Sequence, residues 1–339
     1  MQYKSQIETP TDSYVTRYQF AVDFAIEQMD VYWPAHELGL EEDELHFKFH
    51  LNEAELDGIL TAQSILTKYE LLIGGEDFWG GRIAKLFPRP EIQRMCAAFA
   101  VTEQNSHAPF YAIGNQIMGK DTDEFYSQWK HDPILADRIN FINSFVQEDD
   151  ALVVSAVIAF LEGAVLMTNF GFFKCFNSRG HNFIPRFGSG IDGSTKDEDF
   201  HSRASAYLFG TCRAERIKSN NHSSEDEHKL REIIWDIAKA VYEHEKRIIK
   251  LLFRKPGNRV CTEEDLLSFC EDRINVVLNR LGSPLMFNKT NGAISNLFYN
   301  QLSTTKIPDF FSTSSLQYRR NWNKNLLKFK QEIVNDYNY

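Results

Sequence analysis

Leu152 to Phe173 is almost wholly apolar and carries one carboxylate, Glu162, at its middle. The stretch has the length of a membrane span. A charge at the centre of a span is costly in lipid. A helix that is apolar all round is equally at home inside a large helical bundle. The bundle is the reading adopted here, with no membrane partner, because a carboxylate buried in such a run needs partners and other segments can supply them.

The remaining pattern is mostly helical. Asn52 to Ile73 reads as a helix stopped at Gly74-Gly75, and Pro90 opens a long one through Met118, proline being favourable in a first turn. Shorter helices are predicted over Asp123 to Trp129 and Pro133 to Val146, and Asp149 to Phe173 is the apolar helix. Asn177 to Gly193, rich in Gly, Asn and Ser, reads as a loop. Lys196 to Ser219 resumes the helical period, Ser223 opens a helix to about Phe253, and Thr262 caps another that ends near Leu281-Gly282. No strand alternation is convincing. Two parts are expected: a bundle domain over residues 1–307 and a polar, aromatic C-terminal tail over 308–339.

Charge and cysteine usage narrow the function. With 339 residues, 43% of them hydrophobic, a sizeable core is available. A net charge of −10 and no long basic run argue against a nucleic-acid surface. The cysteines number five and form no Cys-x-x-Cys, which fits a reducing cytoplasm better than a disulfide framework. Met1 to Ser13 is polar and does not read as a secretory signal. No Gly-rich phosphate loop is present.

Two segments pair a carboxylate with an imidazole at helical spacing: Glu198-Asp199-Phe200-His201 and Glu103-Gln104-Asn105-Ser106-His107. Side chains three or four apart share a helix face. Alone, one such pair is most often a solvated face. With Glu70 and Glu162, the chain runs carboxylate, Glu/His, carboxylate, Glu/His over four helical stretches. Four carboxylates and two histidines are what a dinuclear metal site in a four-helix bundle wants. Carboxylates and imidazoles suit iron or manganese.

At these residues the chain resembles the small, radical-generating subunit of class I ribonucleotide reductase, within the ferritin-like superfamily, and most of all its viral and bacterial members. The likeness spans about Val31 to Tyr318. It is most specific at Tyr32-Trp33-Pro34, at His107-Ala108-Pro109-Phe110-Tyr111 and at Lys196-Asp197-Glu198-Asp199-Phe200-His201. It implies an all-α ferritin-like bundle, a homodimer and two metal ions per chain: iron, manganese or a mixed pair. Glu70, Glu103, His107, Glu162, Glu198 and His201 are the implied ligands. Glu70 stands four residues before Gly74, where the family often has Asp. The family's first pair is spaced Glu-x-x-His, a spacing that here falls on Gln104. Glu103 is the favoured ligand, with a one-residue π-bulge absorbing the insertion; Gln104 as a neutral ligand is the alternative.

The resemblance further implies roles. Tyr111 would store a radical, shielded by Phe110, Leu166 and Phe170. Trp33, Asp197 and His107 would conduct the electron and proton, and Asp197 would hold the outer nitrogen of His107. A tail tyrosine, Tyr337 or Tyr339 with Tyr318 a weaker third, would pass the radical to a large subunit that reduces ribonucleotides to deoxyribonucleotides. A di-metal oxidase or hydroxylase, and a homologue without its cofactor, are the rival readings.

Overall fold

The computed structural model describes residues 5–288 and 292–304. The tail expected at 308–339, with Tyr318, Tyr337 and Tyr339, lies outside the described residues. Within them the regular elements are helical and no strand occurs. The α-helices are α1 (Gln19–Asp30), α2 (Glu44–Phe49), α3 (Glu53–Ile73), α4 (Arg82–Leu86), α5 (Pro90–Thr102), α6 (Ala108–Ile117), α7 (Asp123–Ser127), α8 (Pro133–Asn143), α9 (Ala151–Phe160), α10 (Met167–Cys175), α11 (Pro185–Lys218), α12 (Ser224–Leu252), α13 (Glu263–Arg280) and α14 (Ala293–Thr304). Two π-helical segments are continuous with their neighbours: Glu103–His107 joins α5 to α6, and Leu161–Leu166 joins α9 to α10.

Local chemistry sets many of these boundaries. Asn52 accepts from the backbone of Glu55 while the Glu55 carboxylate accepts from the backbone of Asn52, a reciprocal cap that starts α3. Ser223 and Asp226 start α12 in the same way. Pro90 stands in the first turn of α5, and Asp150 accepts from Leu152 N to start α9.

One expectation fails. Residues 185–193, read as loop, are the first turns of the 34-residue α11. Their glycines permit close packing. A Cβ at Gly190 would lie 2.3 Å from the Phe110 ring, and one at Gly193 would lie 2.7 Å from the Trp33 ring. Two aromatic side chains thus rest directly on the α11 backbone. A glycine-rich composition gives no sign of that difference.

Four rods enclose the centre: α3, α5–α6, α9–α10 and α11. α11 packs along α9, α3 against α6, and α1 lies along α5. α12 and α13 cover the outer sides of α9 and α10. The α9–α10 rod, Ala151–Cys175, is long and apolar enough to cross a membrane, yet it is wholly buried inside the bundle. Its hydroxyls at Ser155 and Thr168 and the Asn169 amide donate back to carbonyls one turn earlier. Glu162 has no such internal outlet and turns toward the other three rods.

Candidate metal centre

Helical spacing brings the donors together. Glu198 and His201 are three apart on α11, with Glu198 Oε2 2.8 Å from His201 Nδ1. Glu103 and His107 are four apart, with Glu103 Oε2 2.9 Å from His107 Nδ1. The wider π turn between them keeps both side chains on the inner face. Both are fully buried, whereas Gln104 is exposed and donates its amide to Gly74 O. The bulge expected from the sequence is therefore present, and it turns Glu103, not Gln104, inward. The second π turn, at Glu162, has no counterpart in the sequence reading.

Six side chains form two overlapping groups: Glu70, Glu103, His107 and Glu198, then Glu103, Glu162, Glu198 and His201. Within each group one ligand atom per residue lies within 4.8 Å of the others. Glu103 and Glu198 belong to both, and they divide their oxygens. Glu103 presents Oε2 to His107 and Oε1 to His201 (2.9 and 2.8 Å). Glu198 presents Oε1 to His107 and Oε2 to His201 (3.0 and 2.8 Å). Glu70 and Glu162 stand at opposite ends, each 3.5 Å from the nearer imidazole. The two groups thus share two carboxylates, and each has one further carboxylate and one imidazole of its own.

The donor set fits two divalent ions. Both oxygens of Glu70 and of Glu198, Glu103 Oε1, Glu162 Oε2 and His201 Nδ1 are buried without a hydrogen-bond partner. Several of these atoms lie 2.8 Å apart yet are not aligned as hydrogen bonds, as expected of donors aimed at common points rather than at each other. Four carboxylates in a dry interior also demand positive charge, and two divalent ions match it.

A sequence profile described as "Ribonucleotide reductase, small chain" matches residues 12–293. The chain belongs to that family. No curated protein matches it. Solved structures of similar fold include dimanganese(II)-NrdF from Streptococcus sanguinis, at 18% identity and a TM-score of 0.73, over 85% of this chain and 99% of that one. A putative class I ribonucleotide reductase from Bacillus halodurans matches at 16% and 0.71, over 84% and 100%. The R2 subunit from Clostridium botulinum matches at 19% and 0.69, over 84% and 88%. At such identities these neighbours establish the ferritin-like helical fold, while the family follows from the sequence profile.

In this small chain, burial and charge sort the cluster's protons. Burial, then the Glu103 charge, pushes Glu70 well above the usual carboxylate range. Burial, then Glu198, does the same to Glu162. Burial opposes ionisation of Glu103, but His107 and His201 outweigh it and hold that carboxyl well below the usual range. Burial likewise opposes the His107 imidazolium, and Glu103 with Glu198 carries it well above the ordinary value. His201 is raised against burial by the adjacent carboxylates of Glu103, Glu162 and Glu198.

The outer nitrogens lead away from the cluster. His107 Nε2 lies 2.9 Å from Asp197 Oδ2, and Trp33 Nε1 donates to the same oxygen at 2.8 Å. The Trp33–Asp197–His107 sequence expected from the family thus exists as contiguous hydrogen bonds. Tyr111 is fully buried, with the Phe110 ring 4.8 Å and the Phe187 ring 6.5 Å from its own. Burial, then the Glu70 charge, raises its phenol well above the ordinary value. Leu166 and Phe170 are also fully buried.

Sequence reasoning missed four residues. Gln28 donates to Asp197 Oδ1 (2.9 Å), and its Oε1 lies 3.1 Å from His201 Nε2, so one amide ties both halves of the site. Trp79 Nε1 donates to Glu162 Oε1 at 2.7 Å, and the Phe99 ring covers His201 at 4.2 Å. Phe187 escaped notice because it lies in the segment read as loop. Trp79, set between two glycine pairs, is the one with a visible signal.

Proposed function

We propose that this chain generates and stores a tyrosyl radical at Tyr111 and passes it to a ribonucleotide reductase large subunit, which reduces ribonucleotides to deoxyribonucleotides. The observation that carries the reading is the contiguous path from the buried donor cluster through His107 and Asp197 to Trp33. An oxidase with its substrate in place needs no such path. Glu70, Glu103, His107, Glu162, Glu198 and His201 hold the metal pair. Once bound, that pair supplies, with oxygen, the oxidising power to remove one electron and one proton from Tyr111. Phe110 and Phe187 pack beside the Tyr111 ring. Asp197 fixes the tautomer of His107 by holding Nε2, leaving Nδ1 to the metal, and it bonds the indole N–H of Trp33.

The segment 308–339 serves as the docking tail, with Tyr337 or Tyr339 as the relay. The working form is a homodimer in the cytoplasm. Iron, manganese and a mixed pair all suit the donors; the dimanganese state of the Streptococcus sanguinis protein makes manganese the first metal to try.

The test is reconstitution with each metal in air, followed by paramagnetic resonance and assay with and without a large subunit. A narrow radical signal is expected, lost in Tyr111→Phe with metal content intact. Deoxyribonucleotide formation is expected only in the mixture. A signal and turnover that survive Tyr111→Phe would remove that residue from the scheme. Turnover of an organic substrate by the chain alone would favour the oxidase reading.

A further inference from the structure

None of the six ligands, nor Tyr111, reaches the surface, so an ion bound there must cross the protein. Most flanks are closed by apolar side chains and rings. Phe99 covers His201. Trp33 stacks on His107 at 5.6 Å, with Phe110 beside it. The α9–α10 rod is wholly buried.

The flank between α3 and α6 is different. Gln63, Thr67 and Glu70 fall on one face of α3. His107, Tyr111 and Asn115 fall on one face of the π turn and α6. The two polar files meet beside the Phe187 ring: Asn115 Nδ2 donates to Thr67 Oγ1 at 3.3 Å, and a Cβ at Gly114 would stand 2.7 Å from that ring and 3.0 Å from Gln63 Nε2. Gln63 and Asn115 are fully buried, yet both polar atoms of Gln63 and Asn115 Oδ1 have no hydrogen-bond partner. Buried polar atoms in native proteins are nearly always satisfied, and ordered water is the usual means where protein groups fail.

At its outer end the seam reaches the surface. Asn115 adjoins Tyr126, whose hydroxyl donates to exposed Asp121 at 3.0 Å. Asp123 and Glu124 are exposed beside it. Of the nearby cations, Lys68 and Lys130 lie over the Trp129 ring, and Lys120 belongs to the same loop as Asp121.

We propose that the α3–α6 seam is a hydrated passage through which a divalent cation, Mn(II) or Fe(II), travels from the Asp121 surface to the ligand cluster. The proposal rests on the metal-centre reading above. Hard cations accept oxygen donors. Neutral amide and hydroxyl oxygens can replace part of the hydration shell without holding the ion, which is what transit requires. The carboxylates that would hold it stand at the inner end.

Metal-stripped protein is mixed with Mn(II), and uptake is followed as loss of the free-ion paramagnetic signal. Gln63→Leu and Asn115→Leu are expected to slow uptake about tenfold, with the equilibrium number of ions per chain unchanged. The equilibrium number tests the cluster and the rate tests the seam, so the two failures are distinguishable. Uptake at the wild-type rate in both folded variants overturns the passage. Independently of any variant, a high-resolution crystal structure of the wild-type protein is expected to show ordered water between Gln63 and Asn115, and a dry seam overturns it equally.

Discussion

The two ring nitrogens of His107 face different surroundings: Nδ1 looks into the carboxylate cluster and Nε2 meets Asp197. Without metal, protons take the place of cations in the cluster. Glu70 and Glu162 are raised chiefly by burial, while His107 and His201 are raised by neighbouring carboxylates against burial. The metal-free fold therefore keeps protons that the unfolded chain releases above about pH 4.5 from carboxyls and about 6.5 from imidazoles. Its stability falls as pH rises through the folded-state values. Glu103 acts oppositely, and its contribution is lost only as pH falls below the ordinary carboxylate range. The melting temperature of metal-free protein is expected to fall between about pH 6 and pH 9, and that of loaded protein to stay flatter, because bound ions keep the donors deprotonated. A metal-free melting temperature that rises over this interval would contradict the assignment. These residues were legible because ligand chemistry restricts residue type and helical spacing restricts position. Gln28 was not, since a glutamine on a helix carries no mark of which two side chains it will join.

Helices place the donors, and two departures from α geometry adjust them. The first was readable as one residue too many between Glu103 and His107. The second, around Glu162, was not, because an apolar run hides its own periodicity. Gly74 links the end of α3 to the first π turn: its carbonyl accepts from Gln104, and a Cβ there would lie 2.4 Å from Glu103 Cβ. Gly74→Ala must therefore displace Glu103, and metal analysis is expected to find fewer ions per chain than in wild type. Gln104→Ala removes only an outward hydrogen bond. It is expected to cost about 1 kcal/mol in denaturant titration and to leave metal content unchanged. Loss of metal in Gln104→Ala would restore that side chain as a ligand candidate. The start of α11 was misread for a related reason. The close ring packing that Gly190 and Gly193 permit comes from distant Phe110 and Trp33, and local composition does not encode it.

At the scale of the molecule, the all-α bundle was legible from helical periodicity and the buried carboxylate, and its ferritin-like class from motif likeness. The short N-terminal helices and the cover formed by α12 and α13 depend on long-range packing that no local pattern announces. The bundle's stability rests mainly on its apolar interior, so the centre is separable from the fold. Glu198→Ala is expected to lower metal content while leaving the metal-free melting temperature equal to or above wild type, because it removes one carboxylate from a crowded cluster. A collapse of that melting temperature would recast Glu198 as a structural residue.

The α9–α10 rod also bears on how the chain is made. It is 25 residues long and apolar enough for a bilayer, and its coverings α11, α12 and α13 are all synthesised after it. As it leaves the ribosome it offers targeting factors the features of an anchor, with Glu162 the lone ionisable residue near its middle. The same carboxylate proposed as a metal ligand thus makes the nascent segment a poor substrate for insertion, and a neutral residue there would expose the chain to misdelivery before folding begins.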